Sequence, residues 1–411
     1  MSRGASAGKQ PPGVHRLRIG LVYDARYPNH HGGAERRYHE IASRLAGMHH
    51  VEYITWGSPA DSTAAANAGY RVRSVGVAPP LYGADGKRTI REAVSFAARI
   101  LPTLVRGRYD VIDCSATPYV PLYACWLASR LSGTPLVVTW HEFWGDHWLS
   151  YLPQRPLVGR VARRLEDSGR RIGDRLIPVS AYTARRMGVS EGDPRVRIVG
   201  NGVAIDAIQA APRQPKVDVI YLGRLIDEKR VDLLLHAIAG LGRHRPSVSG
   251  LIVGEGPERA GLEGLSASLG LGNRVRFTGS LDTAQVFGHL KSARVMVLPS
   301  IREGFAIAVL EAQAAGAVPI VVRSPASAAP DLIRDGVDGL LCEPTAESIS
   351  GSIDQLLADP ARRTAMARQA RQAARQYDWA HVADQMEAVY REAAAHKEPI
   401  KRQRRVSPSC P

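Results

Sequence analysis

Two tandem α/β domains, each an open parallel sheet wrapped by helices, are what this 411-residue sequence predicts. Three observations carry that expectation. Short apolar, strand-like runs alternate with stretches of helical period along almost the whole chain. The alternation is interrupted at "AIDAIQAAPRQPK", where Pro212 and Pro215 and the lack of a strand signal mark a linker, and then it restarts. The length, finally, is enough for two domains with cores of their own. We therefore expect a first domain over 17–205, a second over 217–377, a closing helical segment over 378–394, and disordered ends at 1–16 and 397–411.

The first domain opens on the strand "RLRIGLVYD". "GGAERRYHEIASRLAGM" follows as a helix whose Tyr38, Ile41, Ala42 and Leu45 share one face. "VEYITWG", "YDVIDCS", "TPLVVTWHE" and "DRLIPVS" continue the strands, with helical stretches between them. Beyond the linker come "VDVIYLG", "SGLIVGEGP", "VRFTGS", "ARVMVLPS", "AVPIVV" and "DGLLCEP". The two halves are alike in rhythm only, with no short-period repeat. In open α/β sheets ligands sit beyond the carboxyl ends of the strands, so two such edges facing each other form a cleft.

Composition narrows the function classes. Hydrophobic residues at 45% and charged residues at 23% are ordinary for a soluble globular protein. No apolar run reaches the roughly 18 residues of a membrane span. The start, "MSRGASAGKQPPGVHR", lacks the apolar region of a secretory signal. Cys114, Cys125, Cys342 and Cys410 are scattered and form no CxxC pair, which fits reduced thiols and a cytoplasmic address. Of the net charge of +15, the ends supply +8: Arg3, Lys9, Arg16, Arg18, Lys397, Lys401, Arg402, Arg404 and Arg405 against Glu398. No aromatic-interleaved basic motif, helix-turn-helix signature or zinc knuckle accompanies that charge, so nucleic acid is not an expected partner. An anionic acceptor or membrane surface is the better use of it. In "KRTIREAVSFAARILPTLVRGR" a helical wheel puts Arg88, Arg91, Arg99 and Arg106 on one side, with Ile90, Val94, Ala97, Leu101 and Leu104 on the other. That pattern reads either as a solvated face or as an interfacial helix meeting anionic lipid.

The segments that follow the strands hold the candidate site. Gly32 and Gly33 end a long loop and open a helix, which permits close backbone approach to an anion or is an ordinary turn. The loop is too long for a dinucleotide fingerprint, and GxGxxG is absent. Arg224 and Lys229 flank the next strand-to-helix turn, where two cations and a helix N-terminus suit a diphosphate unless both are simply solvated. Gly254 and Gly256 form a GxG that either admits a base or ribose or makes a turn. In "PSIREGFAIAVLEAQAAGAVPIVV", Glu303 falls in a loop and Glu311 about two turns into a helix that ends near Gly316. Gly304 removes a side chain and exposes the amides of Phe305, Ala306 and Ile307. A carboxylate accepts from both hydroxyls of a vicinal diol, which gives each glutamate a partner, though a wet helix face is the other reading of Glu311. In "HEFWGDH" the two histidines, His141 and His147, are six apart and do not share a helix face as HExxH does, so no zinc site is expected. A glycosidase acid–nucleophile pair at Glu303 and Glu311 fits this cationic setting less well than a nucleotide.

These segments resemble the donor-binding half of the family-4 glycosyltransferases (GT4), retaining enzymes of the GT-B fold, in which two Rossmann-like domains face across a cleft. "GRLIDEKRVDLLLHAI", "GEGPE", "VRFTG" and the E-x7-E spacing of Glu303 and Glu311 carry the resemblance. "GGAERRYHEIASRLA", His141 after "LVVTW", "IPVSAYTARRM" and "IVGNGVAID" extend it to the first half. "YDWAHVADQMEAVYREA" is similar to the family's last helices, which cross back onto the first domain. The resemblance implies a sugar transferred with retention from a nucleotide-sugar (a UDP- or GDP-sugar) to a hydroxyl acceptor, glycan, lipid-linked or small-molecule. It implies Arg224 and Lys229 at the donor diphosphate, Glu311 at the ribose, Glu303 at the transferred sugar, and His141 beside the sugar and acceptor. Gly32, Gly33, Asn201, Gly223, Gly254, Gly256, Gly304, Phe305, Ala306 and Ile307 complete the implied donor site. No metal or other cofactor is implied, because the cations neutralise the departing charge. A sugar-nucleotide 2-epimerase or a non-catalytic sugar-nucleotide-binding subunit are the alternatives.

Overall fold

A computed structural model describes residues 15–29, 32–57, 69–81, 88–190, 192–242 and 244–396. The expectations for the tail at 397–411, for Cys410 and for most of the N-terminal arm lie outside those residues; of the arm, His15 and Arg16 are exposed coil leading into the first strand, which Arg18 begins.

The alternation resolves into two six-stranded sheets. The first contains β1 (Arg18–Val22), β2 (His50–Thr55), β3 (Arg71–Ser74), β4 (Val111–Ser115), β5 (Leu136–Trp140) and β6 (Arg175–Pro178), in the order β3-β2-β1-β4-β5-β6. The second contains β7 (Val217–Leu222), β8 (Gly250–Val253), β9 (Val275–Gly279), β10 (Ala293–Leu298), β11 (Val318–Val322) and β12 (Leu340–Cys342), in the order β12-β11-β10-β7-β8-β9. Every neighbouring pair runs parallel. Central strands such as β4, β5 and β11 are buried along their whole length, as a sheet covered on both faces requires. Each sheet reverses its strand order once, at β1/β4 and at β7/β10, and a crevice opens beyond the strand ends at such a point.

Strand β3 was not expected. It is an exposed edge strand whose Arg71 and Arg73 pair with Glu52 of β2 at 3.3 and 2.8 Å, so no apolar run marks it. The linker contains a helix, Ile205–Ala210, whose Ile208 packs with Ala211 into the second domain. The wheel drawn for the helix Ile90–Arg106 needs correction. Its core face is Ala93, Phe96, Ala97, Ile100 and Leu104, while Ile90 and Val94 point outward with Arg91 and Arg99. Arg88 turns inward to Asp24, and the inward Glu92 accepts from Trp56 Nε1 at 2.6 Å.

The last helix, Trp379–Ala395, lies on the first domain. Its Trp379, Val382, Met386, Val389 and Tyr390 share a core with Ile19, Tyr38 and Ile41. The chain therefore crosses between domains twice, and the crossings run side by side: Val203 N–H donates to Tyr377 O at 2.7 Å and Trp379 N–H to Val203 O at 3.3 Å. A polar network is sealed under this helix. The Asp113 carboxylate, at the centre of the sheet, accepts from Tyr390 Oη at 2.6 Å, Thr139 Oγ1 at 3.0 Å and Tyr38 Oη at 3.1 Å. Arg37, 0% exposed, donates to Gly200 O at 2.5 Å and Asn201 Oδ1 at 3.2 Å, and contacts Met386 Sδ at 3.3 Å.

Burial pushes the Asp113 pKa up to about 6, against the pull of Tyr390 and Arg37. The unfolded chain releases this proton near pH 4, so the folded state holds more protons between about pH 4 and 6. The Asp113 contribution to stability therefore falls as pH rises through that window. Asp113→Asn cannot lose the proton, so its stability should gain on wild type by about 1–3 kcal/mol between pH 4 and 7, whatever the constant offset between them. Urea melts of both proteins across that range check this; a pH-independent difference would contradict it.

Candidate functional site

The two switch points face each other, and a cavity of about 410 Å³ lies between the domains. The first domain contributes Tyr27, Gly32, Gly33 and Arg36; the second contributes Gly223, Arg224, Gly254, Phe287, Ile307 and Glu311, among others. Gly32 caps the helix Gly33–Leu45, and at Gly33 an added Cβ would come within 3.2 Å of Ile307 Cδ1 across the gap.

Neither glutamate faces water alone. Glu303 lies in the loop after β10 and accepts from Lys229 Nζ at 2.5 Å. Lys229 stands on a single 3₁₀ turn, Asp227–Lys229, and the helix proper begins at Val231. Glu311 is the fifth residue of the helix Ile307–Ala315, about one turn in rather than two, and is only 4% exposed. A wet helix face is thereby excluded. Its Oε1 accepts from Arg36 of the first domain. Arg224 is exposed, lines the cavity and forms no ion pair among the described residues.

The opening of the Glu311 helix is shaped by contact between domains. A Cβ on Gly304 would lie 2.2 Å from His141 O, so the glycine is required by the close approach of the two backbones. Gly304 O accepts from Ser180 Oγ at 3.0 Å, and the same hydroxyl caps the helix Ala181–Met187. Ala306 holds a left-handed conformation, φ +68°, where a non-glycine residue is strained. Among the described residues the N–H groups of Phe305, Ala306 and Ile307 have no acceptor, and they stand at a helix N-terminus, a setting that favours an anion. The Phe305 ring itself is buried against Gly200 and Tyr377.

Three expected residues have different surroundings from those anticipated. Asn201 is buried beside the domain crossing, where its side-chain oxygen is taken by Arg37. A Cβ on Gly256 would fall 2.1 Å from Leu225 O, and one on Gly254 1.8 Å from Gly223 O. Both glycines let the loops after β7 and β8 pack together, and of the two only Gly254 also lines the cavity. His141 meets the Glu303–Gly304 loop through its backbone, its Nε2 is enclosed with no partner among the described residues, and its ring stands 6.2 Å from that of Tyr38. The loop after it is pinned by Glu166, which accepts from the N–H groups of Trp144 at 2.7 Å and Gly145 at 2.6 Å and from Tyr119 Oη at 2.5 Å.

Sequence reasoning missed Arg36, Arg302 and Ser180. Arg302 pairs with Glu142 across the gap at 2.6 Å and lies 4.8 Å over the Trp144 ring. Arg36 left one signal: it stands in the first turn of a helix, where the macrodipole disfavours a cation, and such a conflict asks for a compensating anion. Among the described residues no cluster of three or more His, Cys, Asp or Glu is placed to hold a metal ion.

Two facing Rossmann-like domains with a cavity at their switch points define a protein of the GT-B class. Comparison with known proteins fixes the family. Residues 31–207 match the family model described as Glycosyltransferase Family 4, and residues 205–373 the one described as Glycosyl transferases group 1. The chain is 30% identical over 313 residues to the phosphatidyl-myo-inositol mannosyltransferase of Mycobacterium leprae, covering 72% of this chain and 77% of that one. It is 29% identical over 370 residues to the D-inositol 3-phosphate glycosyltransferase of Mycolicibacterium smegmatis, covering 81% and 80%. Among solved structures, Anabaena HepE in complex with UDP and glucose matches with a TM-score of 0.72 at 20% identity, covering 92% of this chain and 100% of that one. The sucrose-phosphate synthase of Thermosynechococcus elongatus matches with a TM-score of 0.74 at 21% identity, covering 92% and 100%. The chain belongs to glycosyltransferase family 4 and is a glycosyltransferase.

Burial, with a smaller push from Arg37, drives the His141 pKa down to about 3, so the imidazole is neutral at every pH at which the protein is handled. In a 15N-histidine NMR titration its ring signals should stay in the neutral form from pH 5 to 8. A midpoint near the ordinary histidine value would show that the ring is open to water.

Proposed function

We propose that the protein moves a sugar, with retention, from a nucleotide-sugar donor bound in the cavity between its domains to a hydroxyl acceptor presented from the first domain. The observation that carries this reading is the set of groups at the cleft: Arg224, Ile307 and the Arg36–Glu311 pair line the cavity, and the loops that lead from its wall carry the Lys229–Glu303 pair and the amides of Phe305 and Ala306, which, like that of Ile307, have no acceptor among the described residues. Diphosphate at Arg224, Lys229 and those amides, ribose at Glu311 and the sugar hydroxyls at Glu303 give each group a chemical partner. In the transfer the bond from the anomeric carbon to the diphosphate breaks as the acceptor oxygen bonds to the same face of that carbon. The acceptor proton passes to a diphosphate oxygen. The two cations and the helix amides stabilise the charge on the leaving group, the neutralisation that a metal supplies elsewhere, so transfer without a resident metal is part of the proposal. Neutral His141 is suited to exchanging hydrogen bonds beside the sugar and cannot serve as a cationic acid. The bound UDP of the HepE structure supports a UDP-sugar donor, and a GDP-sugar is the other candidate.

Arg224→Ala and Lys229→Ala should each lower kcat by about 10² to 10³, the usual cost of one preorganised charge-assisted contact to a leaving group. Glycoside and nucleotide release from a labelled donor measure this. Near-normal turnover in both variants would place the diphosphate elsewhere, and free sugar without glycoside would favour the epimerase reading.

The acceptor side of the proposal is an anionic or lipid-linked hydroxyl compound met at an anionic membrane. The named acceptor groups of the two inositol-directed relatives support this, and so does one face of the first domain. On the helices Ile90–Arg106, Tyr119–Ser132 and Pro156–Gly169, Ile90, Val94, Trp126, Leu131, Leu157 and Val161 are exposed. Arg91, Arg106, Arg130, Arg160 and Arg164 on the same helices have no ion-pair partner among the described residues, while Glu92 and Glu166 are turned inward. Apolar side chains among unpaired cations suit the headgroup region of anionic lipid. None of the described helices is long and apolar enough to cross a membrane. The protein should therefore sediment with vesicles containing phosphatidylglycerol and not with pure phosphatidylcholine. Arg130, Arg160 and Arg164 changed together to Glu should abolish sedimentation and leave free-nucleotide affinity unchanged. Retention of that variant on anionic vesicles would rule out this face.

A further inference from the structure

Arg36 is a residue that neither the family motif nor the donor assignments above require, and its surroundings are unusual. It projects from the first domain into the cavity, and its guanidinium is held on three sides. Glu311 of the second domain takes Nη1, Glu40 lies 3.8 Å from Nε on the same helix, and the Phe287 ring of the second domain lies 5.5 Å from Cζ. The Arg36 side chain is 15% exposed and that of Glu311 5%. Burial works against the arginine charge, yet Glu311 and Glu40 outweigh it and the charge is firmly held.

Glu311 has the converse problem. It stands among Val309, Leu310 and Ala312 on an apolar helix, where an ionised carboxylate without a cation is costly. Among the described residues Arg36 is the cation that pairs with it, and the bond uses Oε1 alone. The second oxygen keeps its lone pairs for hydroxyl donors. Lys229 cannot replace Arg36, because Glu303 already holds it.

We propose that Arg36 is a positioning residue for Glu311: by holding Oε1 from the opposite domain it fixes the orientation of the carboxylate and leaves Oε2 to the donor ribose, so the ribose subsite is complete only when the two domains are together. This rests on the assignment of Glu311 to the ribose. Its consequence is that the second domain, which holds most of the cavity wall, recognises the nucleoside less tightly by itself than with the first domain in place.

Calorimetry with free UDP or GDP, and separately with inorganic pyrophosphate, tests this on wild type, Arg36→Met, Arg36→Lys, Glu311→Gln and the double variant Arg36→Met/Glu311→Gln. Arg36→Met should weaken nucleoside diphosphate binding about tenfold, and Glu311→Gln by a similar factor. The double variant should bind within about twofold of Glu311→Gln, because the arginine acts through that carboxylate. Arg36→Lys should recover part of the loss. Pyrophosphate, which has no ribose, should bind all five proteins alike. Equal weakening of pyrophosphate by Arg36→Met would make Arg36 a diphosphate ligand and overturn the proposal, as would losses that simply add in the double variant. If Glu311→Gln alone leaves nucleotide binding intact, the ribose assignment falls and the proposal falls with it. Should Arg36→Met fail to fold, Arg36→Gln supports the same comparisons.

Discussion

A guanidinium sealed from water holds this architecture together. Arg37 reaches from the first helix to the backbone of Gly200, the side chain of Asn201 and the sulfur of Met386, and so joins one domain, the crossing between domains and the last helix at a single point. Burial lowers its pKa, and the nearby Asp113 opposes that shift, so the charge is tolerable only while Asp113 and the Tyr390 above it stay in place. The neighbouring Arg36 projects from the same helical turn into the cavity. One turn of helix thus sets both how the domains are joined and what one domain presents to the other.

The same logic of matched charges runs through the cleft. Each of its buried or half-buried carboxylates has one cation: Glu311 has Arg36, Glu303 has Lys229, and Glu142 has Arg302. Two of the three pairs span the domains. Desolvated ions left single would be costly, whereas paired ions hold fixed positions; Glu303 and Glu311 each pair through Oε1 alone, while Glu142 also accepts from Trp144 Nε1. The cavity is preorganised by electrostatics more than by apolar fit, which suits a ligand that carries two phosphates and several hydroxyls.

Most of the fold was legible because strands buried on both faces of parallel sheets must be continuous apolar runs, as β4, β5, β8, β10 and β11 are or nearly are. Strand β3 was illegible because an exposed edge needs no such run, and its arginines read as loop. The helix Ile90–Arg106 was placed correctly but misphased, since Ile90 and Val94 are apolar residues that face outward. At the site, the positions of Glu303, Gly304 and Glu311 could be read, but their partners could not. Lys229 is 74 residues from Glu303 and Arg36 is 275 from Glu311, and periodicity carries no information over such separations. Gly256 and Asn201 show the opposite limit: residue type announces a special position without saying whether it serves a ligand, a neighbouring backbone or a buried arginine.

The paired crossing of the chain has a mechanical consequence. A single connecting strand would act as a swivel and let one domain turn freely against the other. Here two segments pass between the domains side by side, tied by the hydrogen bonds of Val203 with Tyr377 and Trp379, and both are clamped in buried surroundings. Two adjacent attachments resist torsion and leave easy motion about the line that joins them, as in a door on its pintles. An opening about that line would part Arg36 from Glu311 and Gly304 from His141 together, and closing would restore both contacts in one register.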